Sequence, residues 1–169
     1  MPRFYTLLLV LALAPGAALF GASPRASRPG RPGARQAQKA KSFGSAMIQP
    51  KQLAKQLKGP EASRPIVLQV GFLSLYRSAH IPGAIYAGPA SRPEGLAALR
   101  KAAARIARNR EVVIYCGCCP IDQCPNVHPA YAALRSMGFR RVRVLDLSEN
   151  LDHDWIAKGL PVVHGTAPL

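Results

Sequence analysis

Two short runs, Ile66 to Val70 (IVLQV) and Glu111 to Cys116 (EVVIYC), constrain this fold more than anything else in the chain. Each is apolar at consecutive positions, so neither face of the strand it forms can meet water. Strands buried on both faces belong to parallel sheets covered by helices. The neighbouring segments supply those helices. Lys51 to Lys58 places Leu53 and Leu57 four residues apart and stops at Gly59-Pro60. Pro93 to Arg110 aligns Leu96, Leu99, Ala103 and Ile106 on one face, with Arg100, Lys101, Arg105 and Arg108 opposite. Pro129 to Met137, with proline at the first helical position and Gly138 at its end, predicts another helix. Asn150 to Lys158, ended by Gly159, predicts the last. Ala84 to Tyr86 and Val142 to Leu147 add strands, and one more is expected near Ile48. This alternation predicts an α/β domain over residues 47–164: a central, mostly parallel sheet of about five strands with helices on both faces.

The length, 169 residues, suits one such domain plus flanking segments. Residues 1–22 read as an export signal: Arg3, a short apolar run from Thr6 to Ala14, Pro15-Gly16, then small residues to Ala22. Residues 23–46 read as a disordered basic linker. They carry Arg25, Arg28, Arg31, Arg35, Lys39 and Lys41 without an acid, in a Pro, Gly, Ala and Ser background. Residues 165–169 form a tail. The mature protein is therefore expected outside the cytoplasm, periplasmic or extracellular, and membrane-tethered if the signal stays uncleaved. No run reaches the roughly 20 apolar residues of a membrane span, so a polytopic membrane protein is excluded. A hydrophobic content of 49% excludes a wholly disordered chain. The net charge of +15 suits anionic partners, and the basic linker can touch an anionic surface. The basic face at Arg100 to Arg110 lacks interleaved aromatics and reads as a solvated helix face, so no nucleic acid is expected. A monomer is expected.

The four cysteines, Cys116, Cys118, Cys119 and Cys124, all fall within one short loop after the second apolar run. A disulfide framework spreads its cysteines to staple distant segments; this cluster reads as a site. In an α/β sheet, ligands bind beyond the carboxyl ends of strands. Backbone N–H groups there and the positive end of the next helix favour anions and lower a cysteine pKa. Cys116 directly follows a packed strand and is the expected nucleophile. Gly117, Cys118, Cys119, Ile121, Asp122 and Gln123 are the expected loop that cradles an anion. Cys118, Cys119 and Cys124 are auxiliary thiols. Phosphatase chemistry of the C-x5-R type is excluded, because Asp122 stands where the phosphate-clamping arginine would be.

Several spread-out segments carry a family resemblance. His80-Ile81-Pro82-Gly83-Ala84-Ile85, Val113-Ile114-Tyr115-Cys116, Ala132-Ala133-Leu134 with Gly138-Phe139, and Trp155 with Gly159-Leu160-Pro161-Val162 occur in the order found in single-domain rhodaneses. From about Ile48 to Val162 the chain resembles that family. The resemblance implies a rhodanese-like fold and a persulfide carried on Cys116. It needs no cofactor; its partners would be a small sulfur donor and a thiol acceptor. The chain departs from the family at Gln69-Val70-Gly71, where Asp-Val-Arg is usual, at Leu75 in place of an acid, and at Ala79 in place of glycine. Its loop is also longer and richer in cysteine.

Three readings of the loop stay open at this level. The leading one is a sulfurtransferase that uses Cys116. The second is a thiol–disulfide or redox-sensing module built on the Cys116–Cys119 C-x-x-C and the adjacent Cys118-Cys119. The third is a zinc or copper site with Cys116, Cys119, Cys124 and His128 as ligands on an inactive fold. Of the histidines, His80 reads as ordering the turn before Ala84 and His128 as a helix-start residue. His153 and His164 carry no signal, and Trp155 reads as core.

Overall fold

The computed structural model describes residues 43–165. The expected export signal, residues 23–42 of the expected linker and residues 166–169 of the tail lie outside the described residues. Five strands form one sheet: β1 (Met47–Ile48), β2 (Ile66–Gln69), β3 (Ile85–Tyr86), β4 (Val112–Tyr115) and β5 (Val142–Leu145). The order is β1-β5-β4-β2-β3, and every pairing is parallel. The helices are α1 (Pro50–Leu57), α2 (Leu73–Ser78), α3 (Pro93–Ala104) and α4 (Val127–Ser136), followed by a π-helical turn, Asp152–Ile156. The α/β architecture is the one expected.

The two apolar runs pair with each other in the middle of the sheet, Ile66 opposite Val112 and Gln69 opposite Tyr115. Alternate residues feed two cores. Leu68, Ile114 and Val144 pack against Leu99 and Ala103 of α3 and Ala130 and Leu134 of α4. Val67, Val113, Tyr115 and Leu145 pack against Leu53 of α1, Tyr76 of α2 and Trp155 of the π-helical turn. Both faces are thus dry, as the unbroken hydrophobicity of β2 and β4 requires.

Three boundaries differ from expectation for physical reasons. α3 ends at Ala104, short of Arg110. The Arg108 guanidinium donates to Ala103 O (2.9 Å) and Ile106 O (2.8 Å), satisfying carbonyls the continued helix would have used. α4 starts at Val127, two residues before Pro129. Proline is tolerated there because first-turn amides have no intrahelical acceptor. The last helix contracts to the π-helical turn. Within it Asp154 turns back to accept from Ser148 Oγ and Glu149 N, both at 2.7 Å. At the amino end, Phe43 is buried and stacks on the His128 ring, and Gly44–Ala46 form a 3-10 turn. The packed chain therefore includes the last residues of the expected linker.

Candidate active site

β2 connects outward to β3, and β4 connects to β5 on the other side. The crevice between the carboxyl ends of β2 and β4 is therefore the sheet's topological switch point, where open α/β sheets bind ligands. Cys116 follows β4 directly, and its side chain continues the Val112 and Ile114 alternation into the α3/α4 core, 3% exposed. Gly117 takes φ +92°, which lets the chain leave the strand sharply. The loop is then pinned from outside: Leu151 N donates to Gly117 O (3.1 Å) and Ile121 N donates to Leu147 O (3.0 Å).

The structure gathers the sulfurs. Cys116 Sγ lies 3.3 Å from Cys118 Sγ, which lies 3.1 Å from Cys119 Sγ. Cys116, Cys118 and Cys124 have their sulfurs within 4.8 Å of one another. Cys116 and Cys124 are buried, Cys119 is half-buried and Cys118 is exposed; all four are free thiols. His128 and Cys119, expected in a metal set, are not in that three-sulfur group; Cys118 takes their place. The expected anion cradle is also altered. Residues Ile121–Gln123 form a 3-10 turn, and the Ile121 amide goes to Leu147 while the Gln123 amide goes to Pro120 O (2.9 Å). Those two N–H groups are engaged within the fold.

The electrostatics reverse the expected lowering of thiol pKa. The neighbouring Cys124 thiol, first, and burial, second, push the Cys116 thiol far above the usual thiol range, although Cys118 and Asn126 pull the other way. Burial pushes Cys119 up to about 12, with Cys118 adding to the effect. Burial raises Cys118 as well. A crowd of thiols resists placing a negative charge on any one member.

Three residues that sequence reasoning did not assign to the site complete it. Asn126, fully buried, donates from Nδ2 to Cys116 Sγ (3.3 Å) and accepts from Ser91 N at Oδ1 (2.9 Å). It stands at the N-cap of α4 but makes no side-chain cap bond; the turn-forming Pro125-Asn126 pair was the only sequence signal. Gln69 donates from Nε2 to Cys116 O (2.9 Å), while its Oε1 is buried without a hydrogen-bond partner. A cavity of about 50 Å³ beside it is lined by Gln69, Leu75, Tyr115, Cys116 and Leu151. Gly71 lies so close that an added Cβ would sit 2.8 Å from Cys116 O and 2.9 Å from Cys116 Sγ. The loop cysteine thus occupies space that a side chain at position 71 would need.

Comparison with known proteins gives one family. The sequence profile described as "Rhodanese-like domain" matches residues 49–148. No curated protein sequence matches the chain at a significant level. Among solved structures, the BH2092 protein from Bacillus halodurans is 21% identical with a TM-score of 0.56, covering 79% of this chain and 87% of that one. The Alr3790 protein from Anabaena is 24% identical with a TM-score of 0.54, covering 70% and 80%. A thiosulfate sulfurtransferase from Pseudomonas aeruginosa is 17% identical with a TM-score of 0.56, covering 79% of this chain and 23% of its own. At these identities the likeness is one of fold.

Proposed function

We propose that this chain, which belongs to the rhodanese-like domain family, moves sulfane sulfur by way of a persulfide on Cys116. The observation that carries this reading is the placement of Cys116 at the carboxyl end of the central strand, at the sheet's switch point, with a buried Asn126 N–H aimed at its sulfur. In the first step the Cys116 thiolate attacks the outer sulfur of a small sulfane donor. The donor's bond to that sulfur breaks, its electron pair leaves with the donor residue, and Cys116 carries the persulfide. In the second step an acceptor thiolate attacks the terminal sulfur, and Cys116 Sγ leaves as thiolate. Cys118, 3.3 Å away and exposed, is the acceptor the loop itself supplies, and from there sulfur passes to an external thiol.

The test is the intact mass of the non-reduced protein after exposure to a sulfane donor. We expect wild type to gain one sulfur and Cys116→Ser to gain none, with sulfur transfer to a small thiol lost. Transfer surviving in Cys116→Ser, or no gain by wild type, overturns the assignment. The short Cys116–Cys118 sulfur contact favours a second reading, a redox pair, whose mark in the same spectrum is the loss of two protons rather than the gain of sulfur. Export belongs to the same proposal. N-terminal sequencing of protein from the native host should show a start near Ser23; an intact Met1 in the cytosol overturns it.

A further inference from the structure

We propose that Cys116, Cys118 and Cys124 form a site for a single soft monovalent metal ion, Cu(I), held by sulfur alone. The three sulfurs already lie within 4.8 Å of one another, those of Cys116 and Cys118 at 3.3 Å. Metal–sulfur bonds of about 2.3 Å in a trigonal plane put sulfurs roughly 4 Å apart, so side-chain adjustments of under about 1 Å convert the cluster into a ligand set. The donor chemistry selects the ion. The group contains three cysteines and neither carboxylate nor imidazole, and soft thiolates favour Cu(I). Structural zinc takes four ligands, and this group has three. Cys119 contacts Cys118 at 3.1 Å but is not one of the three.

The surroundings suit a metal thiolate. Asn126 Nδ2 donates to Cys116 Sγ, an outer contact that orients the ligand and disperses thiolate charge, and its far end is fixed by Ser91 N. The amino end of α4 begins at the next residue, Val127, and adds positive potential. Cys116 and Cys124 are buried while Cys118 is exposed, so the ion is handed in through Cys118 by thiol exchange. No electron moves, because copper arrives reduced; each thiol that ligates releases its proton to solvent. The site goes beyond sulfur transfer and does not rest on it. A metal ion and a persulfide on Cys116 exclude each other, so copper would cap the nucleophile.

The experiment uses the full chain under a phosphine reductant without oxygen or sulfur donor, with Cu(I) presented as the coloured complex of a Cu(I) chelator. We expect the protein to withdraw one copper per chain, and X-ray absorption at the copper edge to show a shell of sulfur only. Cys118→Ser, at an exposed position that circular dichroism should show leaves the fold intact, should weaken binding about tenfold or more, whereas Cys119→Ser should change it by less than about twofold. Failure to take copper from the chelator overturns the site. So do nitrogen or oxygen neighbours at the edge, equal losses from the two variants, or Zn(II) retained against equimolar Cu(I). Since copper is read directly, an absence of sulfur transfer leaves this outcome unaffected.

Discussion

At Cys116 the balance of effects decides the chemistry. Cys124 and burial hold its thiol above the ordinary value of 9.0, against the pull of Cys118 and Asn126. The reactive thiolate is therefore scarce at neutral pH and grows as pH rises. We expect persulfide loading rates to keep climbing beyond about pH 10, where an unperturbed thiol would be almost fully ionised; a plateau at or below that pH contradicts the geometry. Asn126 is the non-cysteine side chain that pulls the Cys116 thiol back down. Asn126→Ala removes the N–H to Cys116 Sγ and leaves the Ser91 amide without its acceptor. It should cost about 1–3 kcal/mol in denaturant unfolding and shift the loading profile to still higher pH. Unchanged stability and an unchanged profile would show that the contact is idle. Gly71→Ala meets Cys116 O at 2.8 Å, Cys116 Sγ at 2.9 Å and Gln69 Nε2 at 2.8 Å. The carbonyl is backbone and cannot swing aside, so the loop must shift; we expect a loss of about 1–3 kcal/mol, read by thermal melting.

Among the elements, β2 and β4 were legible because burial on both faces is written into consecutive positions, and α1 and α3 because their apolar residues recur at helical spacing. α2, only six residues long and without a side-chain cap, left no periodic trace. The nucleophile's place was legible from its strand. Asn126, Gln69 and Gly71 were not, because their roles arise from contacts across the chain, Gln69 to Cys116 being 47 residues apart. The π-helical turn illustrates the same limit. Its shape follows Asp154, which burial disfavours as an anion but which the Glu149 amide, Ser148 hydroxyl and His153 hold below its ordinary 3.8. A carboxylate with a lowered folded pKa contributes stability above its unfolded value and loses it as pH falls through the folded one. Acid melting should therefore soften below about pH 3.8, and Asp154→Asn should flatten that limb. An Asp154→Asn curve that overlays wild type would remove Asp154 from the account.

At the scale of the whole molecule, the sheet joins distant parts of the chain. Among the described residues β1 pairs only with β5, Ile48 opposite Leu145, and Gln49 Nε2 donates to Asp146 Oδ2 at 2.7 Å across the same seam. The cysteine loop is likewise tied to the segment after β5, through Leu147 O and Leu151 N. These ties set a schedule for biosynthesis. Ile48 and Leu145 are 97 positions apart (145 − 48), which at about 5–20 residues per second is a wait of roughly 5–20 s before the first strand meets its neighbour. All four thiols have been made by then, yet the anchors that shape their loop, Leu147 and Leu151, follow them in the chain. Cys116 precedes its last anchor, Leu151, by 35 positions (151 − 116), roughly 2–7 s at the same rate, and the redox conditions before those anchors close bear on which sulfurs remain free. Refolding from denaturant should accordingly recover far more free-thiol protein with a reductant present from the first instant than with the same reductant added after folding is complete; equal yields would mean that the loop closes before the sheet does.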